Sequence, residues 1–130
     1  MRVRRATRDD LDFIRETRNA GRYHMTRDTS LIHPHDSEVW WAARPDAYVA
    51  EQAGEPVGYA VIRQVDGDAW ISLAVAPEHQ GKGYGTLIYR YFHPGVKAEI
   101  WDWNIASLRS AEKAGLRVLS KGDGKVVMGP

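Results

Sequence analysis

The 130-residue chain contains no cysteine. That single absence excludes disulfides, thiolate nucleophiles and cysteine-ligated zinc together. No apolar run approaches the roughly eighteen residues of a membrane span, and the opening MRVRRATRDD turns polar at once, unlike a signal sequence. No membrane partner is therefore expected, and the expected location is cytoplasmic. An excess of one charge is missing too. Lys and Arg number 18 against 17 Asp and Glu, a formal net charge of +1, which argues against nucleic acid as a partner. No repeat, low-complexity tract or linker interrupts the sequence, so one domain over 1–130 is expected. His33 and His35 flank Pro34 without a third ligand in reach, and no metal site is expected.

What is present is an ordinary globular mixture, 43% hydrophobic and 27% charged. RVRRAT (2–7) alternates as a first strand. Thr7 then caps a helix through DDLDFIRETRNA, with Asp9 and Asp10 in the first turn, Leu11 and Ile14 inward, and an end near Gly21. Residues 22–37 lack a period and read as a loop. DSEVWWAAR (36–44) reads as a short helix opened by Asp36 or Ser37. DAYVAEQ, EPVGYAVIRQ and AWISLAVAP form a three-stranded meander closed by Pro77. TLIYRYF follows as a helix with Leu87, Ile88 and Tyr91 on one face, KAEIWDW (97–103) as a strand, and NIASLRSAEKAG as a helix. A hairpin over LRVLSKGDGKVVMGP completes the order β-α-α-β-β-β-α-β-α-β-β, a mixed α+β sheet with helices packed on it.

One stretch resists this bland reading. VAPEHQGKGYGT (75–86) places Gly81, Gly83 and Gly85 at the start of a helix, where each glycine costs roughly 1 kcal/mol relative to alanine. A strand running through a glycine-rich turn into a helix is an anion cradle: bare N–H groups converge, and the helix N-terminus adds partial positive charge. The spacing is not that of a Walker A loop, because no Gly-Lys-Ser/Thr follows. Nor is it the dinucleotide fingerprint, because a meander precedes it rather than a βαβ unit.

These residues resemble the acetyl-CoA-binding signature of the GNAT superfamily of N-acetyltransferases, whose core is Gln/Arg-x-x-Gly-x-Gly/Ala. Gln80, Gly83 and Gly85 stand in those places. A second block, NIASLRSAEKAGL (104–116), resembles the family's later helix through Asn104, Ser107, Glu112, Lys113 and Gly115, and RRATRDDLDFIRETRN resembles its usual start. The resemblance implies a mostly antiparallel sheet of about seven strands with helices on both faces, splayed between strands four and five. It implies acetyl-CoA as co-substrate. Gly81, Lys82, Gly83, Tyr84, Gly85 and Thr86 would hold its pyrophosphate beside Gln80. Leu73, Ala74 and Val75 would pair with pantetheine as an added half-strand, and Asn104 and Ser107 would reach it from the other side.

The reaction implied is direct attack of a primary amine on the thioester. An amine of pKa near 10 is roughly 0.1% neutral at pH 7, so a base is needed, and a backbone N–H of the fourth strand, with Val75 the candidate, would stabilise the developing oxyanion. Asp102 and His24 are the candidate bases. Relatives that carry a tyrosine seven residues after the asparagine use it to protonate the thiolate; here that position is Ala111. The pattern without tyrosine resembles a subgroup acting on protein N-termini or amino sugars, echoed by Arg18-Asn19, Met25 and Trp40-Trp41. Amino sugars, small amines and protein N-termini all remain as acceptors, and a non-catalytic acyl-CoA-binding module is the alternative. Trp40, Trp41, Trp101 and Trp103 are candidates for an acceptor wall or for core, the last two sharing one strand face. Monomer and homodimer are equally open.

Overall fold

A computed structural model describes residues 1–130. Its seven strands and four α-helices are β1 (Arg2–Arg5), α1 (Leu11–Ala20), α2 (Pro34–Ala42), β2 (Asp46–Gln52), β3 (Glu55–Val65), β4 (Asp68–Val75), α3 (Tyr84–Phe92), β5 (Ala98–Trp101), α4 (Ile105–Lys113), β6 (Arg117–Gly122) and β7 (Lys125–Gly129). The strands form two antiparallel sheets, β1-β2-β3-β4 and β5-β7-β6. One parallel bridge, Trp70 to Lys97, joins them.

The three hairpins close through Ala53-Gly54, Asp66-Gly67 and Asp123-Gly124, each with positive φ at both residues. That geometry matches the right-handed twist of the strands it joins. Alternation along β3 and β4 sends Ala60 and Ile71, with Val57 joining them at the break in the β2–β3 register, to a core shared with Ile88, Ile100, Leu116 and Met128. The opposite face, through Val49 and Tyr59, receives Ile14 of α1. Gly58 permits the tight β3–β4 approach, since a Cβ there would stand 2.8 Å from the Ala74 carbonyl oxygen.

Several boundaries differ from the sequence expectation. The α1 segment is preceded by a 3-10 turn over Arg8–Asp10, with the Thr7 N–H donating to Asp10 Oδ2 at 2.7 Å. The α2 helix opens two residues early, at Pro34, with His33 as its cap and the Asp36 carboxylate accepting from the His33 N–H at 2.9 Å. Proline at the first helical position loses no bond, because that N–H has no partner in any helix. Within the expected loop, Arg22–His24 form a 3-10 turn. The α3 face is also rotated. Ile88 and Tyr89 are buried while Leu87 and Tyr91 are exposed, so the inward row is Gly85, Ile88, Tyr89 and Phe92.

Candidate active site

The site begins where β4 loses its neighbour. The Ile71 N–H donates to the Lys97 carbonyl and the Lys97 N–H to the Ala69 carbonyl, both at 2.8 Å. Past this bridge β5 diverges and β4 is an open edge. Main-chain groups on a strand alternate in direction, so Leu73 and Val75, in phase with Ala69 and Ile71, face the opening. Ala76 fixes the opposite phase, its N–H reaching the Val57 carbonyl at 2.8 Å. Ala74 shares that phase and turns its peptide groups to β3. Gln80 Nε2 donates to the Val75 carbonyl at 3.1 Å, which leaves the N–H groups of Leu73 and Val75 and the Leu73 carbonyl bare.

A cavity of about 450 Å³ fills the opening. Leu73, Ala74 and Val75 form one wall, and Gln80, Gly81 and Gly83 the turn at its end. Tyr84, Gly85 and Thr86 continue that turn into α3, while Asn104 and Ser107 face it from α4. Lys82, between Gly81 and Gly83, is exposed and not part of the wall.

The turn's geometry explains its glycines. Gly81 and Gly83 have φ of +78° and +86°, and a Cβ on either would meet nothing within 4 Å. Conformation, not crowding, selects glycine there, and the space in front stays clear. The N–H groups of Gly81, Lys82 and Gly83 donate to no backbone acceptor. Those of Tyr84, Gly85 and Thr86 are first-turn donors with no intrahelical partner. Six successive amides are thus bare at a helix N-terminus beside the cavity, which fits a pyrophosphate. Gly85 has a different reason: a Cβ would lie 3.3 Å from Ser110 Oγ, where α3 and α4 touch.

Asn104 caps α4, its Oδ1 accepting from the Ser107 N–H at 3.4 Å. The Ser107 hydroxyl then lies 3.0 Å from that of Tyr89, which is buried on α3 and also lines the cavity. Burial pushes the Tyr89 phenol up, opposed by the Ser107 hydrogen bond, so it remains protonated. Tyr89 precedes the asparagine block, so its order along the chain does not point to it. The inward row of α3 was the signal that places it. Arg109 and Lys113 line the cavity as well, and their i, i+4 spacing on α4 puts both cations on one face.

The candidate bases part company. His24 lines the cavity, its ring 5.2 Å from that of Trp103. Asp102 is exposed in the turn after β5 and outside the cavity wall; its N–H donates to the Gly124 carbonyl at 2.8 Å, tying it to the last hairpin. Strand β5 stops at Trp101, so Trp103 is not on it, yet the two indoles stack at 6.5 Å. Trp40 and Trp41 line no part of the cavity and pack against one another. The segment carrying His24 is moored at three points. Arg18 donates to the Asp28 and Ser30 carbonyls, and Asn19 exchanges bonds of 2.8 and 2.9 Å with Ile32. Trp101 Nε1 donates to the Met25 carbonyl at 2.9 Å.

This chain belongs to the acetyltransferase (GNAT) family, whose model matches residues 11–116. Among solved structures it is similar to yncA, a putative acetyltransferase from Salmonella typhimurium with its cofactor acetyl-CoA. That match has 25% identity and a TM-score of 0.77, covering 98% of this chain and 91% of that one. A ribosomal-protein-alanine N-acetyltransferase from Brucella melitensis matches at 22% identity and TM-score 0.74, covering 98% of both chains. A spermidine N-acetyltransferase from Vibrio cholerae, in complex with CoA and spermine, matches at 19% identity and TM-score 0.79, over 98% of this chain and 91% of that one. These last two speak to the fold alone. No curated protein matches significantly.

Proposed function

We propose that the cavity binds acetyl-CoA and transfers its acetyl group directly to a primary amine held in the same cleft. The observation that carries this is the run of bare amides from Gly81 to Thr86, set at the end of an open strand edge. The turn would hold the diphosphate, with Arg109 and Lys113 adding positive charge. Leu73 and Val75 offer peptide groups to the pantetheine arm as a partner strand would. Of these, the Val75 N–H is the donor for the acetyl oxygen as charge builds on it.

Proton movements fall to three side chains. His24 takes the proton that the incoming ammonium must lose. Tyr89 and Ser107 serve the departing sulfur: the phenol, kept protonated by burial, donates to Ser107, whose own hydroxyl proton is then free to point into the cleft. This pair fills the role that Ala111 cannot.

Calorimetry with acetyl-CoA, followed by a thiol-release assay over a panel of primary amines, tests the reading. Saturable binding and amine-dependent thiol release are expected. Binding without release on any amine would overturn the transfer reaction, and no binding would overturn the cradle.

A further inference from the structure

A second cavity, of about 240 Å³, lies along the same edge of β4, on the bridge side of the cleft. Thr26 and Arg27 of the α1–α2 segment, Arg63 of β3, Trp70 and Ser72 of β4 and Glu99 of β5 bound it. Arg2, Arg4, Arg5, Arg8 and Arg15 have carboxylate partners, and Arg18 and Arg22 bond to main-chain or phenol oxygens. Arg27 and Arg63 have no carboxylate partner. Arg63 Nε is buried without any hydrogen-bond partner, alone among the buried side-chain polar atoms. Such an orphaned donor costs free energy unless something arrives to accept from it. Burial, and after it the nearby charge of Arg27, holds the Arg63 guanidinium below its ordinary value.

Of the surrounding charges, Glu99 opposes these two only in part. Glu99 lies 3.9 Å from Lys125 Nζ and is shared with it. Lys97, above the Trp70 ring, is paired with Asp68 at 3.0 Å. Two guanidinium side chains lining one cavity, one of them with an unmet donor, suit an oxyanion. The anion is not the cofactor's diphosphate. That group would sit beyond Val75, at the opposite end of the strand edge from Trp70 and Arg63.

We propose that Arg27 and Arg63 form an anion subsite for the acceptor, so that the amine to be acetylated carries a carboxylate or phosphate group. The proposal rests on the acetyltransferase reading and names the acceptor class for it. The walls of the two cavities are consecutive in the chain at Met25–Thr26 and at Ser72–Leu73. From Ser72 to Ala74 is about 7 Å of extended chain. A single small molecule can therefore seat its anion on the arginines and its amine in the cleft, with only a few bonds between them.

Side-chain ¹⁵N NMR tests the subsite without turnover. The Nε–H signal of Arg63, assigned by its loss in Arg63→Lys, is followed while inorganic phosphate or, separately, propionate is added, with coenzyme A present to fill the glycine turn. A saturable shift with either anion is expected, and the tighter one tells whether phosphate or carboxylate is the natural group. No shift with either overturns the subsite. Thiol release is then compared for β-alanine against propylamine and for phosphoethanolamine against ethanolamine. At least one anionic amine should have a kcat/KM about tenfold or more above its neutral match, the equivalent of one charge-assisted hydrogen bond. Arg27→Gln, on an exposed side chain, and Arg63→Gln should each erase that preference while leaving acetyl-CoA affinity unchanged. Equal rates for both members of each pair overturn the acceptor class. Absence of release on every amine instead refutes the transfer reaction, and the NMR titration still decides the subsite.

Discussion

At the residue scale, the positive-φ glycines separate strain from recognition. Gly54 and Gly83 have nearly equal φ, +79° and +86°, and both would send a Cβ into open space. Alanine at either should cost about 1 kcal/mol of backbone strain. Only Gly83→Ala should also weaken acetyl-CoA binding, by about tenfold or more, because its Cβ occupies the anion's approach. Paired thermal melts and calorimetry on the two variants check this; equal affinities would remove the turn from the binding site. Tyr89→Phe keeps the ring and deletes the hydroxyl, so kcat should fall by about 10²-fold with the KM for acetyl-CoA nearly unchanged. Ser107→Ala should fall similarly, and the double variant little further if the two hydroxyls act in series. The glycine turn was legible in the sequence because glycine spacing encodes backbone conformation directly. Tyr89 was not. Its place depends on a helix face that Leu87 and Tyr91, both apolar enough to be inward, misdirect by one position.

At the element scale, the strongest local device is the Asp10 carboxylate that joins β1 to the start of α1. It accepts from Arg4 Nη1 and Nη2 at 2.8 and 2.9 Å and from the Thr7 N–H at 2.7 Å, while Arg4 Nε reaches Glu51 on β2 at 3.1 Å. The Arg4 hydrogen bonds hold the Asp10 carboxyl below the usual carboxylate range, against the opposing effect of burial. A depressed carboxylate pKa contributes stability above the unfolded value and loses it as pH falls through the folded one. Asp10→Asn should therefore destabilise the protein by about 3 kcal/mol at neutral pH, with the gap to the parent closing below about pH 4. Urea titrations at both pH values measure this. The meander strands were legible nearly to the residue, since alternation and two-residue turns leave little freedom in register. Helix starts were less so. Thr7 and Asp36 do act at their helix ends, but through a 3-10 turn and from inside the first turn of α2, details set by backbone geometry.

Over the whole molecule, two sheets touch at a single bridge and then part, and that parting makes the cleft. The amides of Ile71 and Lys97 should exchange slowly with solvent, while those of Leu73 and Val75 exchange fast in the free protein and become protected when acetyl-CoA is added. Hydrogen exchange read residue by residue checks both halves. Protection of Ala74 without Leu73 and Val75 would reverse the assigned phase of the strand. The sheet split was implied by likeness to a family, not by composition or period, because nothing in the residues of β4 or β5 marks a missing neighbour. Asp102 shows the limit from the other side: two positions from Asn104 in sequence, it is exposed and outside the cavity wall, its N–H bonded to the Gly124 carbonyl. No helix is long and apolar enough to cross a membrane.

Peptide groups, rather than side chains, make up most of the proposed grip on the donor. Exchanging Leu73 or Val75 for another residue that still forms a strand leaves that grip in place, whereas the proposed anion subsite depends on the side chains of Arg27 and Arg63. Donor use is thus buffered against sequence drift while acceptor choice lies open to it, and a programme to re-aim this catalyst at a new amine can vary the second cavity freely without relearning how to hold its thioester.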